Sequence, residues 1–165
     1  MDDAISLYDQ SLNYLGENGQ PEDYAKAFSL NAKAAALGLP DAILAMGWFY
    51  SNGFGTPCDL QQAERWYRRS ARLGDPKAMF SLGQIAYDEK SFEAARQWFE
   101  MAHKHGRTRA LYWLGKLYWR GQGVTRDRVK AMKLFEQAAR ANDYEAMRLM
   151  RFMNRRKYIP DSARR

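Results

Sequence analysis

Apolar residues recur along this chain on a helical period, in stretches of about a dozen residues separated by runs of helix breakers. From Pro40, the segment DAILAMGWFY follows the 3.6-residue period, SNGFGTPCD interrupts it, and LQQAERWYRRSARLG resumes it until Gly74. The pattern predicts helix, loop, helix. Self-comparison shows that the pattern repeats. Ala42, Ala78, Ala110 and Ala146 form one register; Ala27, Ala63, Ala95 and Ala131 a second; Gly38, Gly74, Gly106 and Asn142 a third. All three are spaced 36, 32 and 36 residues, the mark of a repeat array. The third register sits where a helix end needs a left-handed residue, which Gly and Asn adopt at least cost. Leu39-Pro40 and Asp75-Pro76 then open the next helix.

Small and large residues alternate across each helix pair. Gly47, Gly83 and Gly115 fall in mid-helix, where Gly costs about 1 kcal/mol against Ala, so they mark close approach of a neighbouring helix. Ala34-Ala35, Ser70-Ala71 and Ala138-Ala139 serve the same end, while Trp66, Trp98 and Leu134, with Tyr67, Phe99 and Phe135, fill the space between helices.

The fourth unit, RALYWLGKLYWRGQGVTRDRVKAMKLFEQAARAN, and the second, AILAMGWFYSNGFGTPCDLQQAERWYRRSARLG, resemble the Sel-1-like repeat, a tetratricopeptide-like family with the pattern A-x4-LG-x2-Y-x2-G-x-GV-x2-D-x2-KA-x6-AA. The resemblance covers roughly residues 3–142. The third unit, reading QIAYDEKSFEAA, lacks four residues and both loop glycines; the first has Ser11 for the mid-helix Gly; and Arg151 replaces that Gly in the last half-unit. The resemblance implies an all-α, right-handed α-α superhelix of nine helices: four helix-turn-helix repeats at about 3–38, 39–74, 75–106 and 107–142, and a capping helix over 143–157. Residues 1–157 are read as one solenoid domain and 158–165 as a basic, flexible tail. First helices are expected to line a concave face, second helices the outer face.

Apolar residues at 46% and charged residues at 27% exclude the composition of a disordered chain. No apolar run approaches the length that spans a bilayer, and MDDAISLYDQ has neither a basic start nor a long apolar stretch. Cys58 is the one cysteine, which excludes intrachain disulfides and cysteine-based metal clusters. A cytoplasmic location is expected, or a periplasmic or secreted one for a chain freed of its leader. The net charge of +7 is uneven: residues 1–103 hold nine Lys/Arg against fourteen Asp/Glu, a balance of −5, and residues 104–165 seventeen against five, or +12.

Catalytic chemistry finds little support. His103 and His105, two apart near a helix end, point to different sides and cannot chelate one metal. His103 stands in a register that is Ala in the other units, which suggests partial packing. Cys58 has no histidine near it in sequence, and the GFG and GQG loops follow no strand, so neither is a phosphate loop. The reading is a non-enzyme without cofactor, metal or small-molecule substrate.

Binding has more content. Aligning the mid-helix Gly with the small residue of a tetratricopeptide helix places Leu44, Trp48, Lys77, Phe80, Gln84, Tyr87, Arg109, Tyr112, Lys116, Trp119, Arg148 and Phe152 on the groove, together with Tyr8, Leu12, Leu15, Asp41, Ser51 and Arg155. Aromatics and arginines dominate interface energetics, and the cations suit an acidic peptide or protein. The expected function is thus a protein–protein interaction adaptor. Two alternatives stand beside it: nucleic-acid or anionic-surface binding through the basic C-terminal third, including Arg151, Arg155, Arg156 and Lys157, and salt-sensitive head-to-tail self-association of acidic and basic halves.

Overall fold

The structure is a computed structural model that describes residues 2–16 and 23–155, with side chains to Met153. Arg156, Lys157 and the tail 158–165 lie outside the described residues, as does the side chain of Arg155. Among the described residues nine α-helices and no strand occur: α1 (Asp2–Asn13), α2 (Tyr24–Ala36), α3 (Pro40–Asn52), α4 (Leu60–Arg72), α5 (Pro76–Asp88), α6 (Phe92–Lys104), α7 (Ala110–Arg120), α8 (Arg128–Arg140) and α9 (Tyr144–Arg155). Odd-numbered helices are the first of each repeat and even-numbered ones the second.

Each sequence register has a structural cause. Gly38, Gly74 and Gly106 have φ of 89°, 89° and 94°, and Asn142 has 61°. Each closes a second helix through the same pair of backbone bonds: Gly38 N–H donates to Ala35 O at 3.0 Å and Leu39 N–H to Ala34 O at 3.2 Å, and the pattern recurs at Gly74, Gly106 and Asn142. Second helices start on an aspartate. Asp23, Asp59 and Asp127 accept from the backbone N–H of Lys26, Gln62 and Lys130 at 3.0, 3.0 and 2.8 Å. The same aspartates close their loops by donating a backbone N–H to Tyr14 O, Tyr50 O and Tyr118 O. The third repeat makes the predicted short turn differently: Ser91 N–H reaches Ala86 O at 2.8 Å, Ser91 makes no side-chain cap bond, and Lys90 sits at φ 61°.

The mid-helix glycines lie under aromatic rings. A Cβ on Gly47, Gly83 or Gly115 would stand 2.5, 2.6 and 2.5 Å from the rings of Tyr67, Phe99 and Phe135. In the first repeat these two register positions hold Ser11 and Asn31, both buried. The second loop glycines serve a contact between repeats: a Cβ on Gly55 would strike the Tyr24 carbonyl, and one on Gly123 the start of α6 at Phe92 and Glu93.

The chain divides into two compact units, Met1–Ala78 and Met79–Arg165. In the first, α1 contacts α2, α2 contacts α3, and α3 contacts α4; Ala34, Ala35, Ala42, Ile43 and Met46 form a core edged by Leu7, Tyr8, Phe28, Tyr50 and Trp66. In the second, α6 contacts α7, α7 contacts α8, and α8 contacts α9; Leu111, Ala138 and Ala146 form a core edged by Tyr112, Leu134 and Ala139.

Candidate functional site

In the unit Met1–Ala78, Trp48 and Phe49 of α3, Phe54 of the loop after it and Tyr24 at the start of α2 build an aromatic patch. Trp48 on α3 is 37% exposed. Its ring lies 5.2 Å from Phe49 and 4.9 Å from Phe54, which stacks on Tyr24 at 4.5 Å between centroids. The Trp48 carbonyl accepts from Ser51 Oγ at 3.0 Å and Asn52 Nδ2 at 2.8 Å, fixing the end of α3. Leu44 is half-buried and Lys77 exposed. Asp75 caps α5 by accepting from the N–H groups of Lys77 and Ala78.

The unit Met79–Arg165 holds a cationic cluster set in aromatic rings. The Lys116 ammonium on α7 lies 3.9 Å from the Trp113 ring centroid, 4.9 Å from Tyr87 and 5.8 Å from Tyr112, within the range of cation–π attraction. Burial, then the neighbouring Arg120, holds its pKa below the ordinary lysine value. Burial, followed by the charges of Glu145 and Asp143, raises that of Tyr112. The Tyr87 hydroxyl donates to Gln122 Oε1 at 3.3 Å and accepts from Arg120 at 3.2 Å. Among the described residues no carboxylate lies within ion-pair distance of Arg109, Lys116 or Arg120.

Gln84, Tyr87, Tyr112, Lys116 and Trp119 are half-buried and Arg109 is exposed, so each presents some surface. Trp119 lies beside Phe135, at 6.4 Å, with the Arg128 guanidinium 5.2 Å from its ring. Phe80 is a correction: expected on the groove, it is 5% exposed, packed 5.6 Å from Phe99 and covered by the guanidinium groups of Arg107 and Arg109 at 5.5 and 5.8 Å. It belongs to the core. His103 is likewise exposed rather than partly packed, whereas its counterparts Ala35 and Ala71 are buried. On α9, exposed Arg148, Arg151 and Phe152 line a cleft of about 390 Å³ with Tyr144 and Met147.

Sequence reasoning missed Trp113, the ring nearest Lys116. Its register position holds Ala45 and Ser81 in the preceding repeats, and a large aromatic where the repeat calls for a small residue was the available signal. Among the described residues no group of three His, Cys, Asp or Glu side chains could hold a metal ion, and no helix is long and apolar enough to cross a membrane. Cys58 is exposed, its thiol directed at Ser51 O at 3.4 Å.

The repeat geometry has a family. The profile of the Sel1 repeat matches residues 9–39, 40–75, 76–106 and 108–143. The chain belongs to the Sel1 repeat family. A Sel1 repeat protein from Oxalobacter formigenes superposes with a TM-score of 0.80 at 27% identity, over 87% of this chain and 60% of that one. A protective antigen of uropathogenic Escherichia coli with an SLR fold does so with a TM-score of 0.81 at 30% identity, over 93% and 34%. The fold class is therefore the all-α superhelix of helix-turn-helix repeats that the sequence predicts. An uncharacterized protein of Neisseria meningitidis is 31% identical over 80% of this chain and 28% of its own length. The chitin synthase regulator SKT5 of Saccharomyces cerevisiae is 32% identical over 78% of this chain and 20% of its own. The chain thus spans less than a third of these curated relatives. Sel1 repeats are in general non-catalytic scaffolds that bind other proteins.

Proposed function

We propose that this Sel1 repeat chain is a non-enzymatic adaptor whose first-helix faces hold an acidic peptide or protein segment. The observation that carries this reading is the pair Lys116 and Arg120 set among Tyr87, Tyr112 and Trp113, with Arg109 over Phe80 at the start of the same helix, and none of the three cations has a paired carboxylate among the described residues. A partially desolvated cation gains more from an incoming carboxylate than a fully hydrated one, because the local dielectric is lower. The rings around it supply apolar area at low entropic cost. Leu44 and Trp48 offer a separate apolar patch in the unit Met1–Ala78, suited to uncharged side chains.

Affinity capture from lysate of the source cell tests this with three baits: the intact chain, Trp48→Ala, and Arg109→Glu combined with Lys116→Gln. Circular dichroism of each bait checks its fold. A protein retained by the intact chain and lost from the double variant is the expected result. Equal retention by all three folded baits would remove the first-helix faces from the binding site.

A further inference from the structure

A second cleft shares no residue with that face. About 740 Å³ in volume, it is lined by Arg96 of α6, Tyr118 of α7 and residues 123–130 of the loop and first turn of α8. Four of its side chains are cations, Arg96, Arg126, Arg128 and Lys130, against one carboxylate, Asp127. That carboxylate is engaged as the α8 cap, accepting from Lys130 N–H at 2.8 Å. Arg96 is held by Glu100 at 2.8 and 2.9 Å, with Glu93 one turn away on the same helix. The Lys130 ammonium donates to the Tyr118 hydroxyl at 2.7 Å.

The preceding repeats supply an internal control. The positions equivalent to Arg96, Arg126, Arg128 and Lys130 are Phe28, Cys58, Leu60 and Gln62, and Phe28 packs edge-on to Tyr50 at 5.5 Å, where Arg96 faces Tyr118. The helix pair folds without a single cation there, so the charge is not a requirement of the repeat. It also opposes helix stability. Arg126, Arg128 and Lys130 crowd the positive end of α8, whose first turn holds no acid, and cations there are disfavoured by the macrodipole.

We propose that this cleft is an anion-binding site, separate from the first-helix face, that takes a protein segment bearing clustered oxyanions, either carboxylates or phosphorylated side chains. Arg126 supplies an exposed guanidinium for bidentate contact. Val124 and Val129 beside the cations suit the aliphatic part of a peptide. The single aromatic in the lining, Tyr118, has the Lys130 ammonium 4.0 Å from its centroid, which takes up the ring face on which a nucleobase would stack.

The test uses the full chain and three fluorescent probes at low salt: a glutamate-rich peptide, the same peptide with phosphoserine in place of glutamate, and a single-stranded RNA of matched length. The expected result is peptide binding that Arg126→Glu weakens by about tenfold. Arg140→Glu, an equal charge change at the far end of α8, alters it by less than about twofold. The tighter of the two peptides identifies the oxyanion. Backbone amide shifts confined to residues 123–130 place the peptide in the cleft, and retained binding by Trp48→Ala separates this site from the aromatic patch. No peptide binding, equal loss from Arg126→Glu and Arg140→Glu, or binding of RNA alone would overturn the proposal.

Discussion

The pairing of a glycine with an aromatic ring is the smallest unit from which this molecule is built. Phe99 is fully buried over Gly83, so its ring has nowhere to go when a methyl group is added. Gly83→Ala therefore trades about 1 kcal/mol of helix propensity against an overpacking cost of about 1–3 kcal/mol, and a net loss is expected in urea denaturation. The first repeat shows the converse solution: Ser11 has a Cβ, and the ring position carries the smaller Asn31, whose Nδ2 donates to Ala42 O at 3.0 Å. Asn31→Phe alone is expected to destabilise the chain. Adding Ser11→Gly recovers part of the loss, with a coupling of about 1–3 kcal/mol in a double-mutant cycle. The buried Ser11 Oγ and Asn31 Oδ1 make no hydrogen bond in the structure, so an all-carbon pair has desolvation in its favour. Lys116 is a residue of the other kind, charged where the fold disfavours charge. Its lowered pKa means that the folded state bears a penalty at every pH below that pKa, relieved as pH rises toward the ordinary lysine range. Lys116→Met keeps the volume and is expected to gain stability at neutral pH, a gain that shrinks in alkaline melts.

Helices and turns were legible because each is specified by residues close in sequence. The third register marked helix ends, Leu39-Pro40 and Asp75-Pro76 marked starts, and the short third turn was visible as four missing residues. What those marks did not carry is coverage. The register put Phe80 on the groove, but Phe99 packs against its ring and Arg107 and Arg109 cover it from the turn before α7. The Lys116 cage was only half readable for a similar reason, since Trp113 belongs to a register that is small elsewhere and reaches Lys116 from one turn earlier on α7. Gly55 and Gly123 could be read as turn formers, but their contact with the start of the preceding second helix depends on how repeats stack. The third turn also has its own weakness. Lys90 occupies the left-handed region at φ 61°, a conformation that costs a residue with a Cβ about 1 kcal/mol or more. Lys90→Gly is expected to raise the urea midpoint by the equivalent of about 1 kcal/mol. Ser91→Asp, which restores the cap of the other second helices, is expected to add about 0.5–1 kcal/mol.

Over the whole molecule the charge divides with the compact units. Residues 1–78 carry seven Lys/Arg and ten Asp/Glu, a balance of −3, and residues 79–165 nineteen and nine, or +10. Three associations could use that division, and salt separates them because they bury charge differently. A nucleic-acid strand that neutralises several phosphates loses affinity steeply, with a logarithmic slope of about −0.7 per phosphate contacted. Self-association through opposite surface charges shows as a multimer in light scattering of the chain alone, which dissociates as exposed pairs are screened. A peptide held by partly buried cations and aromatic rings keeps its apolar contribution, so moderate salt slows association more than it weakens the complex. Constant monomer mass across the salt series is expected, with partner capture falling by no more than about tenfold between low and physiological salt. A mass that drops with salt would instead assign the charge division to contacts between copies. A steep loss of capture, together with indifference to Trp48→Ala, would assign it to a polyanionic strand, because a phosphate-tracking surface has no use for the aromatic patch on α3.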